Sequence, residues 1–189
     1  GANVNSNGPL TGIPQYRGLY GSRIAVSLDG NQLAPSGPNW MDPPLSYAVG
    51  GQLESLQLYR GIAPVGVAQE SIGGAVAARA NRGSFSADDA CSLHGRVTGN
   101  AQSVNEAYHL NTAVYATNRH HRLKLAAMTE EGDDAEFSDG DILPTEYERQ
   151  RYDLGYGFRS GHHTLQLDYA NNDTDDSGTP ALPMDIETI

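Results

Sequence analysis

The residues best suited to hold something soft lie in "GPNWMDPP", 37–44. Met41 offers a thioether beside Trp40, the chain's only tryptophan, and Asn39 and Asp42 bring oxygen donors close on either side. Prolines at 38, 43 and 44 exclude a helix or a central strand. Proline lacks the ladder N–H and drives its predecessor toward extended geometry. A methionine held in such a loop is either packing filler or a soft metal ligand. The loop alone leaves both open.

Other stretches carry weaker chemistry. His120-His121 and His162-His163 fall near two short turns. Imidazoles from two hairpins can share a metal, but no carboxylate or thiolate completes the set, so polar turn residues are the better reading. In "DTDDSG", Asp173, Asp175, Ser177 and Gly178 match the first, third, fifth and sixth positions of a calcium loop. The twelfth position is Met184 where such a loop needs a bidentate Glu, so a solvated acidic loop is expected. "ESIGG" (70–74) lacks the glycine that precedes the serine of a nucleophile elbow. With no phosphate-binding loop and no base in position, the chain is expected not to be an enzyme. Cys91, the single cysteine, excludes an internal disulfide framework and reads as an inert strand residue.

Composition narrows the class further. The 189 residues hold 12 Lys+Arg against 23 Asp+Glu, a formal net charge of -11. That argues against nucleic acid, whose binders need a basic stripe. No run of about 18 apolar residues exists to form a membrane helix. A mean hydropathy of -0.49 suits a soluble protein. It equally suits a membrane β-barrel, whose alternating strands hide their hydrophobicity from averaging.

The elements that must position these residues follow two grammars. Up to about residue 83 the chain is punctuated by Gly and Pro, with short strands expected in "SRIAVSLDG" (22–30), "LESLQLYRG" (53–61) and "IGGAVAARANRG" (72–83). "MDPPLSYAV" is expected to form one short helical turn after Pro43-Pro44. From about residue 84 sustained alternation takes over. Tyr108, Leu110, Val114 and Ala116 share one face against His109, Asn111, Tyr115 and Thr117. Leu123, Leu125 and Ala127 oppose Lys124; Tyr152, Leu154, Tyr156 and Phe158 oppose Arg151, Asp153 and two glycines; Leu165, Leu167 and Tyr169 oppose Gln166 and Asp168. With the weaker "CSLHGRVTG" (91–99), five strands follow one another. Short turns at one end, long polar loops at the other and aromatics near the strand ends favour an outer-membrane barrel over a soluble sandwich.

The first half then resembles a known family. "PQYRGLYGSRIAVSLDG" (14–30) and "LESLQLYRGIAPVGVAQESIGGAVAARANRG" (53–83) are similar to the plug domain of TonB-dependent outer-membrane receptors. The resemblance implies a mainly β chain: a small mixed α/β plug over 1–83, then the first five or so strands of an incomplete antiparallel transmembrane β-barrel over 84–189. Receptors of this family close with about 22 strands. Five cannot close, and open edges are not tolerated in lipid, so both ends of the chain are expected to be cuts. The implied function is active uptake of a metal ion or metal chelate across the bacterial outer membrane. The implied partners are outer-membrane lipid and the periplasmic TonB protein, reached through an N-terminal segment that precedes this chain. A passive porin or adhesin-like barrel and a siderophore receptor are the alternatives.

"MDPPLSY" (41–47) is most similar to the copper-receptor branch of that family. There the loop carries a Cys four residues before the Met, where this chain has Gly37. The branch implies copper as transported substrate, with no resident cofactor. Met41 would be the soft ligand to Cu(I), Asn39 and Asp42 oxygen donors and Trp40 a shield, at the outer apex of the plug. The histidine turns are expected on the sheet edge nearest Gly83, and the acidic stretches 130–148 and 171–189, with nine and five acids, on the opposite edge. Such acids concentrate cations or simply solvate the surface, and solvation is the expected role.

Overall fold

The computed structural model describes residues 2–6, 8–10, 12–35, 43–68 and 71–178. Strands β1 (Ala2–Ser6), β2 (Gly12–Tyr16) and β3 (Leu19–Tyr20) form a small antiparallel sheet. Strands β4 (Ile24–Leu28), β5 (Asn31–Gln32), β6 (Leu53–Arg60) and β7 (Gly74–Ala80) form a second sheet in the order β5-β4-β7-β6. It is mixed: β4 runs parallel to β7, and the other pairs are antiparallel. The only helical pieces among the described residues are 3-10 turns at Gly21–Arg23, Pro44–Tyr47 and Gly50–Gln52. The second of these starts on a proline, which lacks the N–H that a first helical position leaves unused anyway.

Residues Ile24–Leu28 are apolar at nearly every position because both faces of β4 are covered. Ile24, Val26 and Val76 pack with Tyr16 and Leu45 on one side. Ala25 and Ala75 pack with Ala63, Tyr59 and Val67 on the other. These clusters are small. Leu56 and Leu58 on β6, the free edge of this sheet, stay exposed.

Beyond a linker come β8 (Ser92–Ala101), β9 (Tyr108–Thr117), β10 (His121–Gly132), a β11-β12 hairpin (Ala135–Phe137 and Gly140–Ile142), β13 (Tyr147–Ser160) and β14 (His163–Asp175). Five of them build one antiparallel meander in the order β14-β13-β10-β9-β8, with no closure. Two expectations need correcting here. The stretch 2–20 forms a sheet that sequence pattern did not flag. Much of the acidic stretch 130–148 is strand, since β10 runs on to Gly132 and β13 starts at Tyr147. Likewise Asp173 and Asp175 pair in register with Gln150 and Glu148, so the stretch expected as a solvated acidic loop begins as strand.

The meander is inside out by the standards of a water-soluble sheet. On one face Leu110, Leu125, Leu154, Leu167 and Tyr169 are exposed, and on the other Asn111, Thr117, Lys124 and Glu130 are buried. The buried face is the one that receives the N-terminal unit. Glycines make room there: a Cβ at Gly157 would stand 2.5 Å from Arg122 Nε and would push that side chain from its place.

Candidate functional site

The segment following the proline-rich loop meets the polar face of the meander through its own backbone. Residues 43–52 form two 3-10 turns and no ladder, so several carbonyls lack sheet partners and need other donors. The strand side chains supply them. Arg149 donates through Nη1 to Ser46 O at 3.0 Å, Arg151 to Tyr47 O at 3.4 Å, and Asn111 through Nδ2 to Gly51 O at 3.3 Å. Asn111 has no exposed surface, and a Cβ on Gly51 would sit 3.0 Å from its Nδ2. A side chain at Gly51 would have to push the Asn111 amide aside by a few tenths of an ångström. Pro43, where the described chain resumes after the loop, is also fully buried.

These donors are fixed by pairing on the same face. His109, Glu130 and Arg149 stand opposite one another across β9, β10 and β13. Glu130 bridges them, accepting from Arg149 Nη2 and lying 3.0 Å from His109 Nδ1. Two residues along β13, Arg151 makes a two-pronged contact with Asp153, 2.9 Å on each prong. Each arginine is thus held by a carboxylate while it donates to the N-terminal unit. Charge-assisted hydrogen bonds of this kind are about twice as strong as neutral ones.

Below this contact lies a cavity of about 130 Å³ lined by Gln52, Arg82, Lys124, Arg151, Asp153 and Asp168, among others. Arg82 ties both units together, 3.0 Å from Asp29 in the turn after β4 and 2.8 Å from Asp168 on β14. The linker then leaves along the edge where the short turns lie. Arg122 donates to Gly83 O at 2.9 Å, and Phe85 sits beneath two guanidiniums, 4.7 Å from Arg122 and 4.6 Å from Arg159. Ser86 N reaches Asn118 O and Arg119 N reaches Asp88 O, so the 118–120 turn flanks the linker. At the opposite edge Gly178 N donates to Glu146 O.

Of the residues singled out by sequence, Asn39, Trp40, Met41 and Asp42 lie outside the described residues, as does Gly37. Cys91 is free and exposed just before β8. Among the described residues no three His, Cys, Asp or Glu side chains are grouped to hold a metal ion. The contact residues Asn111, Glu130, Arg149 and Arg151 were not anticipated. Their sequence signal is slight: polar side chains at every second position, on strands whose other face is apolar.

No family model and no curated protein sequence matches the chain. Solved structures do. The copper transporter OprC superposes with a TM-score of 0.81 at 22% identity, over 95% of this chain and 27% of that one. The FrpB iron transporter from Neisseria meningitidis (F3-3 variant) gives 0.68 at 11% identity, over 92% and 27%. Its F5-1 variant, in the apoprotein form, gives 0.66 at 11%, over 92% and 28%. The chain therefore spans about a quarter of the length of these transporters, and across that quarter it has their fold.

Proposed function

We propose that this chain is the plug domain and first five barrel strands of a TonB-dependent outer-membrane receptor that imports a metal ion or metal chelate. The observation that carries the reading is the inverted meander. Exposed leucines and tyrosines on one face and buried Lys124, Glu130 and Asn111 on the other suit a wall between lipid and a filled lumen. Its dimensions fit. On the outer face of β13 the polar residues Gln150 and Ser160 flank Tyr152, Leu154, Tyr156 and Phe158. Ten residues at ~3.4 Å each, tilted near 40°, span about 26 Å of height, against an apolar band of about 25 Å in such barrels. A folded unit seated on the polar face speaks for a gated importer, since a passive pore has no need of one.

Within this reading residues 1–83 are the plug and 84–189 the first strands. Short turns carrying His120 and His162 face the periplasm, and the 133–146 connection faces outward. TonB is the energising partner. Copper is the substrate we favour. Two features support it: the soft Met41 thioether in a proline-rigid loop, and the likeness to a structure named as a copper transporter. Residues 43–47 join the wall at Arg149, within two register positions of the end of the β10-β13 ladder. A loop just before that anchor would sit near the external mouth. There Met41 would coordinate Cu(I), Asn39 and Asp42 would add oxygen donors, and Trp40 would shield the site.

The test uses the full-length receptor. Copper binding and copper-dependent uptake are measured for Met41→Ala and for Gly37→Cys. Loss of binding in the first and a gain in the second support copper. If Met41→Ala changes neither, Met41 is packing and the substrate is a chelate or siderophore.

A further inference from the structure

We infer that the turn-bearing rim of the meander holds a binding site for the phosphate of an anionic phospholipid, centred on His121. The inference rests on the membrane reading above, but on residues that reading does not use. His121 opens β10 on the same outward face as Leu123 and Leu125, at the end of the apolar band. Its ring is not loose. It stacks against Tyr156 with centroids 6.0 Å apart and leans on Phe158 at 5.2 Å, while Nδ1 lies 2.8 Å from the Tyr156 hydroxyl. With Nδ1 committed to that hydroxyl, Nε2 is the nitrogen left for a ligand. Where the Tyr156 O–H donates to Nδ1, the neutral ring carries its proton on Nε2, a donor.

The surroundings favour an anion. His163 opens β14 on the same outward face, two register positions beyond the Phe158-Leu165 pair, and is exposed. His120 is exposed beside His121, its Nδ1 on Arg159 O at 2.9 Å. Arg119 is half exposed and only 3.3 Å from Asp89, which with Asp88 supplies the acids of this rim. The other rim has the reverse character. Glu131, Glu148, Asp173 and Asp175 occupy the outward positions of β10, β13 and β14 there, and Tyr108 donates to Glu131 at 2.8 Å. Each rim of a bilayer-spanning sheet meets headgroups, and among the described residues the outward positions of the other rim carry acids where this rim carries imidazoles, with Arg119 and His120 both beside Asp89. The aromatic ring stack is the part that enters the acyl boundary, and the imidazole edge is the part that reaches the headgroup.

The occupant is a lipid because the site is continuous with the apolar band: Leu123, Tyr156 and Leu165 adjoin it on the outward face. A phosphate there arrives with acyl chains lying on those side chains. Phosphatidylglycerol fits better than phosphatidylcholine, since its phosphate is the headgroup's only charge, whereas choline screens its own phosphate from such a donor.

The experiment titrates short-chain phosphatidylglycerol, phosphatidylcholine or inorganic phosphate onto the delipidated full-length receptor and counts bound lipid by native mass spectrometry. Phosphatidylglycerol is expected to bind more tightly than phosphatidylcholine. His121→Phe keeps the ring stack but removes the Nε2 donor, and should weaken phosphatidylglycerol about fivefold, the effect of one cationic or charge-assisted contact. Phosphatidylcholine should be unchanged. Unaltered phosphatidylglycerol binding in His121→Phe overturns the inference, and so does full competition by millimolar inorganic phosphate. Heat-modifiable migration of the same samples reports the barrel separately. A receptor that forms no barrel refutes the membrane reading, whereas a folded one without lipid preference refutes only this site.

Discussion

The N-terminal sheet and the meander are built from similar strands and bury opposite things. In the first, Ile24, Val26, Ala75 and Val76 vanish from the surface, while Leu56 and Leu58 on the free edge stay exposed. In the second, Asn111 is fully buried and Lys124 is 5% exposed, while the adjacent Leu125 is 52% exposed. Alternation with period 2 cannot decide which face goes inward, because it is the same pattern in both solvents. What decides is the neighbour. The small sheet packs against its own loops and offers an ordinary apolar core. The meander packs against a unit whose irregular backbone needs donors, so its charged face turns inward and its apolar face is left uncovered.

The sharpest way to break this contrast is to remove the acid that braces the polar face. Glu130→Ala leaves Arg149 buried without its carboxylate, which typically costs about 3–5 kcal/mol. In the intact receptor this is expected as a large loss of urea resistance, together with proteolytic exposure of residues 43–52 as the Ser46 contact goes. Next in size is Leu125→Arg on the outward face, expected to cost about 2–4 kcal/mol in vesicles because a cation near the bilayer centre is desolvated. Retention of full stability in lipid would show that this face is covered by protein. Smallest is Ile24→Val in the N-terminal sheet, where one lost methylene should cost about 0.5–1.5 kcal/mol. That effect should be the same in detergent and in vesicles, whereas the Leu125 effect should depend on the surrounding medium.

How much was legible depends on whether information was local. The face assignments of Tyr108 through Tyr169 were readable because alternation persists over ten or more residues, and no tertiary contact competes with it. The short turns were readable from length alone. The β1-β3 sheet was not, since "ANVNS" is polar and its partner strand contains a proline, Pro14, opposite Val4. Strand ends were misplaced because acidic residues such as Glu131, Glu148 and Asp173 look like loop in sequence. As outward rim residues of a long strand they are in place. The Glu130-Arg149 brace was invisible for a different reason. Nineteen residues and a hairpin separate the two, and only the β10-β13 register brings them opposite. The contact residues of the polar face are therefore a product of pairing, which no single strand records.

The outward face also bears on how such a chain changes over time. On the proposed membrane reading, fluid acyl chains have no fixed shape, so Leu123, Leu125, Leu154 and Leu167 need only be oily, and one oily residue there substitutes freely for another. Gly51 and Gly157 face side chains of Asn111 and Arg122 so closely that an added methyl would displace them. Half of each strand is thus free to drift while the backbone it belongs to stays put. A TM-score of 0.81 at 22% identity is the outcome to be expected of such a wall. In more distant kin the shared letters should collect on the side that lipid never touches.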